Sequence, residues 1–125
     1  MKRDLDLYRE ILMAMEARPA HEGIMMSLPD HKEDEEEHLR VSEHVHTMHK
    51  AGLIEGYTTA LADGRRLNWQ VIRITNEGHD YIDAIRKDTI WEKTKAKLKS
   101  VGGGASLDII KDLALLQIKQ ELGLS

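Results

Sequence analysis

The sequence predicts an α+β domain followed by a helical extension. Apolar residues recur with a helical period in residues 5–15, 41–48 and 81–98. Two strand-like runs, 53–62 and 65–75, flank the turn dipeptide Asp63-Gly64. A triple glycine, Gly102-Gly103-Gly104, then separates a last Leu/Ile-rich segment from the rest. A chain of 125 residues with 41% hydrophobic and 32% charged residues has room and composition for one folded domain with such an appendage. With aromatics at 4% and no Phe, its core must be built mainly from Leu, Ile, Val and Met.

Asp4 is placed to cap a first helix, about Leu5 to Ala17, on which Leu5, Tyr8, Ile11, Leu12 and Met15 share a face and beyond which Pro19 blocks continuation. Ile24-Met25-Met26, closed by Pro29, reads as a short strand. From Asp34 to Ala51, Val41, Val45 and Met48 repeat at i, i+4, i+7, and Gly52 stands where a helix-terminating glycine belongs. The acids Asp34 to Glu37 in its first turn and Lys50 in its last complement the helix dipole. Leu53–Ala62 and Arg65–Thr75 form a hairpin. Leu67, Trp69 and Val71 fall on one of its faces and Ile72 and Ile74 on the other, a change of parity that predicts a bulge near Gln70–Ile72. Thr75 caps a third helix carrying Tyr81, Ile82 and Ile85, continuous or kinked through Ile90, Trp91 and Leu98. Residues 106–122 form the last helix, with Ile109, Ile110, Leu113 and Leu116 on one face and Leu115, Ile118 and Leu122 widening it. Residues 1–88 are thereby assigned to the domain and 89–125 to the extension, hinged at Gly102–Gly104.

Helix, short strand, helix, Gly-Leu-Ile, hairpin and Thr-x-x-Gly opening another helix is an order that resembles the winged-helix fold. Ala51-Gly52-Leu53-Ile54 looks like the exit from the third helix of that fold into its wing, and Ile74-Thr75-Asn76-Glu77-Gly78 looks like the motif that closes the wing. Met1-Lys2-Arg3-Asp4-Leu5-Asp6-Leu7, His44 shortly before Ala51-Gly52, and Glu77-Gly78-His79-Asp80-Tyr81-Ile82-Asp83-Ala84-Ile85-Arg86 with Trp91 are similar to a family of small bacterial and prophage proteins, catalogued as a domain of unknown function (the 2513 family). That resemblance covers nearly the whole chain. It implies a winged-helix-like domain with a helical tail, and it implies no activity, ligand or catalytic residue. The chain departs from the general winged-helix pattern in one respect. About 20 residues lie between its first two long helices, and they must hold a strand, so at most a one-turn helix around Lys32–Glu35 fits where a helix-turn-helix has its second helix.

The net charge of −4 conceals two opposed segments. Residues 30–43 hold seven acids against two bases, and residues 86–99 hold six bases against two acids. A uniformly basic nucleic-acid binder is excluded; a locally basic surface is not. The nitrogen donors placed to meet double-stranded DNA are Arg40, His44, His46 and Lys50 on the helix ending at Gly52, and Arg65 and Arg66 beside the hairpin turn. The acids at the start of that helix would repel phosphates, so either that end points away from DNA or the surface serves another purpose. Lys93, Lys95, Lys97 and Lys99 alternate and so spread around their helix.

The four histidines between His38 and His49 do not converge three at a time on one helix face, so no metal site is expected. With no Cys, no glycine-rich phosphate loop, no nucleophile elbow and no spaced carboxylate pair, neither an enzyme nor a cofactor is expected. No apolar run is long enough to span a membrane, and the start of the chain lacks a signal-like apolar stretch, so a cytoplasmic location is expected. The apolar stripe of the last helix is too wide for solvent. It packs on the domain or on a second chain, and Ile109, Ile110, Leu113 and Leu116 are the expected contact residues of a homodimer or protein partner. Two functions fit: a small DNA-binding, regulator-type homodimer, or a protein-interaction module that binds no DNA.

Overall fold

A computed structural model describes residues 2–18, 26–28, 35–60, 67–101 and 106–123. The elements run α1 (Leu5–Glu16), β1 (Met26–Leu28), α2 (Glu35–Lys50), β2 (Ile54–Ala60), β3 (Leu67–Ile74), α3 (Asn76–Ile85), α4 (Asp88–Ser100) and α5 (Leu107–Glu121). This is the expected α+β, winged-helix-like arrangement with C-terminal helices. The chain falls into two compact units, residues 1–79 and 80–125, and α3 runs from one into the other. The Asp63-Gly64 turn with Arg65 and Arg66, the predicted strand residues Ile24 and Met25, the segment Lys32–Asp34 and the hinge Gly102–Gly104 lie outside the described residues.

In the first unit, Asp4 starts α1 as expected: its Oδ1 accepts the backbone N–H groups of Asp6 at 3.0 Å and Leu7 at 3.3 Å. The helix buries Leu7, Tyr8, Ile11, Leu12 and Met15, so Leu7 takes the core position that spacing had assigned to Leu5. The three strands are antiparallel in the order β1-β3-β2. The β2–β3 register runs from Ile54↔Ile74 to Ala60↔Leu67, with a shift between Glu55, opposite Arg73, and Gly56, opposite Val71. Ile72 is thus the extra residue, within the bulge region that parity predicts. Its insertion returns Ile74 to the buried side occupied by Trp69 and Val71.

The two sequence motifs on either side of the hairpin meet. Gly52, with φ +81°, ends α2 in the left-handed conformation. Thr75 donates its hydroxyl to the Gly52 carbonyl and its amide to the Leu53 carbonyl, and its Oγ1 accepts the Gly78 amide at 3.0 Å. Gly78 is required by this closeness: a Cβ there would lie 2.1 Å from the Leu53 carbonyl oxygen.

In the second unit the predicted long third helix is two helices. α3 ends at Ile85, Lys87 is extended (φ −74°, ψ 126°), and α4 begins at Asp88. No Pro or Gly marks the break, so nothing in the sequence located it. α4 buries Ile90, Trp91, Thr94 and Leu98. Ser106 caps α5 by accepting the Ile109 amide, and α5 packs on α4 with Leu107, Ile110 and Ala114 buried. An ion pair between Lys93 and Glu121 joins the two helices.

Candidate nucleic-acid interface

The candidate surface is built on α2 and the strands that follow it. α2 buries His38, Val41, His44, Val45 and Met48 on one side. The 100° step per residue then places Leu39, Glu43, His46 and Lys50 along the opposite, outward side, and all four are exposed. The four α2 donors expected from the sequence therefore separate into two pairs.

Arg40 and His44 are held within the fold. The His44 ring is fully buried. Its Nε2 accepts the Asp4 amide at 2.9 Å, which leaves Nδ1 as the N–H that donates to the Arg40 carbonyl at 2.7 Å. The Tyr8 ring lies 4.7 Å away, centroid to centroid. The Arg40 guanidinium reaches Asp4 Oδ2 at 2.5 Å and Glu37 Oε1 at 2.9 Å. Partial burial works against its charge, but Glu37 and then Asp4 outweigh that and raise its pKa above the ordinary arginine value. Asp4 thus caps α1 and ties it to α2. His44 is withdrawn from any contact with a ligand, because its burial leaves no face to offer and both ring nitrogens are in use.

His46, His49 and Lys50 remain exposed at the C-terminal end of α2. The two imidazoles flank the Trp69 ring of β3, with centroids 5.9 Å and 5.1 Å from it. This end of α2 consequently adjoins the hairpin whose connecting residues include Arg65 and Arg66. Exposed acids occupy the other end, at Glu35 and Glu36, with Glu43 midway. His49 joins the set through its contact with Trp69; sequence spacing alone gave no reason to choose it over the other histidines. The Asp4–Arg40–His44 cluster was also missed, because its partners are 36 and 40 positions apart.

Of the expected interface residues on α5, Ile109 and Leu116 are exposed, Leu113 is half-buried and Ile110 is fully buried. Ile110 therefore belongs to the inner face that packs on α4, since it lies one turn from Leu107 and Ala114. Lys93 and Lys95 make ion pairs with Glu121 and Glu92, and Lys95 also lies over the Trp91 ring. Among the described residues, no three His, Asp or Glu side chains are grouped to hold a metal ion, and no helix is long and apolar enough to cross a membrane.

A family described as "Hypothetical protein (DUF2513)" matches residues 2–105. A Haemophilus influenzae protein described as uncharacterized is 35% identical over 127 residues, spanning 98% of this chain and 99% of its own. No solved structure matches.

Proposed function

We propose, for a chain that belongs to the DUF2513 family, a non-enzymatic, regulator-type role: binding double-stranded DNA as a cytoplasmic homodimer, through the hairpin and the C-terminal end of α2. The observation that carries this reading is the polarity of α2. Its exposed donors His46 and His49 sit against Trp69 of β3 with exposed Lys50 beside them at the helix end, while its exposed acids Glu35 and Glu36 lie at the opposite end. Docking by the N-terminal turns of α2 would bring those carboxylates onto phosphates and is disfavoured. Docking led by the hairpin keeps them away from the duplex.

The test is fluorescence anisotropy with random duplex DNA at about 50 and 200 mM salt. Lys50, Arg65 and Arg66 supply about three phosphate contacts per protomer, about six for the dimer, for a salt slope near −5.4 and a loss of roughly 2,000-fold in affinity over that range. The triple substitution Lys50→Ala, Arg65→Ala, Arg66→Ala should abolish binding at the higher salt. No binding by the wild type at the lower salt, or an unchanged slope in the triple variant, refutes the reading.

One observation favours a second reading. Leu39, 47% exposed, stands on the outer face of α2 between Glu36 and Glu43. An apolar residue ringed by carboxylates suits a protein partner with a basic, apolar surface. A photo-crosslinker at position 39 that captures the same protein in cells, and loses it when Glu36 and Glu43 become Lys, would establish that role.

A further inference from the structure

α5 has a buried face and an outer face. Leu107, Ile110 and Ala114 are buried, whereas Ile109, Leu115, Leu116 and Leu122 are 51%, 40%, 44% and 68% exposed. Asp112 and Lys119 lie among these leucines and, with Ile109, Leu115 and Leu116, line a groove along the helix. So much apolar surface on one helix marks a contact surface.

The order of residues along this face indicates what covers it. In a twofold-symmetric contact each residue meets the one at the equivalent distance on the other side of the axis. A parallel pairing of two α5 helices would set Asp112 against its own counterpart and Lys119 against its own, two like-charge contacts. An antiparallel pairing about an axis between Leu115 and Leu116 has the opposite result. Asp112 is three residues before Leu115 and Lys119 three after Leu116, so each Asp112 meets the other copy's Lys119. Leu115 and Leu116, at the axis, then pack against their counterparts on either side of the charged line, and both charges at the centre are paired.

We infer that the outer face of α5 binds a second copy of this chain, antiparallel, with two symmetric Asp112–Lys119 ion pairs setting the register. This deepens the dimeric part of the function proposed above, and it is independent of whether DNA binds. A contact between two single helices is at the small end of specific interfaces, so the dimer should form in the micromolar range and dissociate on dilution.

Sedimentation equilibrium of the full chain, from micromolar to several hundred micromolar, tests the inference with the variants D112K and K119D. Each single variant converts two attractive contacts into two repulsive ones and should weaken dimerisation roughly 30-fold, with circular dichroism confirming the fold. The double variant D112K/K119D should dimerise as the wild type does. An equimolar mixture of D112K with K119D should form heterodimers, because both cross-contacts are again complementary. A wild type that stays monomeric throughout overturns the inference. Dimers unaffected by either single variant place the interface elsewhere, and failure of the double variant and the mixture to recover overturns the antiparallel register.

Discussion

Replacing Gly78 with alanine tests the joint that closes the hairpin onto α3. Gly78 is the third residue of α3, where helix propensity alone favours alanine by about 1 kcal/mol. The structure opposes that gain. The new Cβ would lie 2.1 Å from the Leu53 carbonyl oxygen and 2.6 Å from Ile74 Cγ2. The Leu53 carbonyl is held by the Thr75 amide at 3.0 Å, and the Gly78 amide is held by Thr75 Oγ1, so neither backbone segment can yield without losing a hydrogen bond. Overpacking of this kind costs about 1–3 kcal/mol, and a forfeited hydrogen bond about 1 kcal/mol more. Set against the propensity gain, Gly78→Ala should destabilise the protein by about 1–3 kcal/mol, a fall in Tm of roughly 4–12 °C for a domain of this size. Urea unfolding followed by circular dichroism and tryptophan fluorescence measures it. A variant as stable as the wild type, or more so, would show that propensity outweighs the contact and that the Thr-x-x-Gly motif is not held by packing.

Gly52→Ala should cost about 1–2 kcal/mol in the same assay through its φ of +81° alone, since open space surrounds its Cβ position, and Gly52→Asn should cost less because Asn tolerates that conformation. His44→Ala should lower stability by about 2–3 kcal/mol by stranding the Asp4 amide and emptying the site of a fully buried ring, yet leave the DNA affinity of the folded protein unchanged. The hydrogen bond and charge of Lys93 hold the Glu121 carboxyl below its ordinary pKa. A group whose folded pKa is lowered stabilises the fold at neutral pH, and this contribution fades as the pH falls through the carboxylate range. Glu121→Gln should therefore remove a small, salt-sensitive part of the acid destabilisation, read from urea midpoints on either side of that range.

The elements legible in the sequence were those fixed by local rules. The Asp4 cap, the Gly52 stop and the shifted parity at Ile72 each depend on a few neighbouring residues, and the structure places all three as local chemistry dictates. The break at Lys87 followed no such rule: an extended backbone at an ordinary residue leaves no compositional trace. The candidate site was legible in part for a related reason. A surface histidine and a buried one look alike on a helical wheel until the opposing element is known, and here α1, about 40 positions away, brings Asp4 and Tyr8 onto His44. The last helix shows the same limit. Its apolar stripe was visible, but only the packing on α4 separates Ile110 inside from Ile109 and Leu116 outside.

The end of α2 needs a finer separation, because helix physics alone accounts for cations there. A positive charge in the last turn stabilises the helix dipole by about 0.3–1 kcal/mol whether or not a ligand ever arrives. Lys50 fits that account fully. His46 does not, because it lies a turn earlier, exposed on the outer stripe and against Trp69. The two accounts diverge in what Lys50→Ala changes. Both require the small loss of stability. Only docking requires the salt dependence of duplex binding to become shallower by about 1.8 in the logarithmic slope, the share of one phosphate contact from each protomer of the dimer, with affinity falling alike for every sequence tested. A loss of stability with an unchanged slope would leave Lys50 as a helix-end charge and remove this end of α2 from the DNA interface.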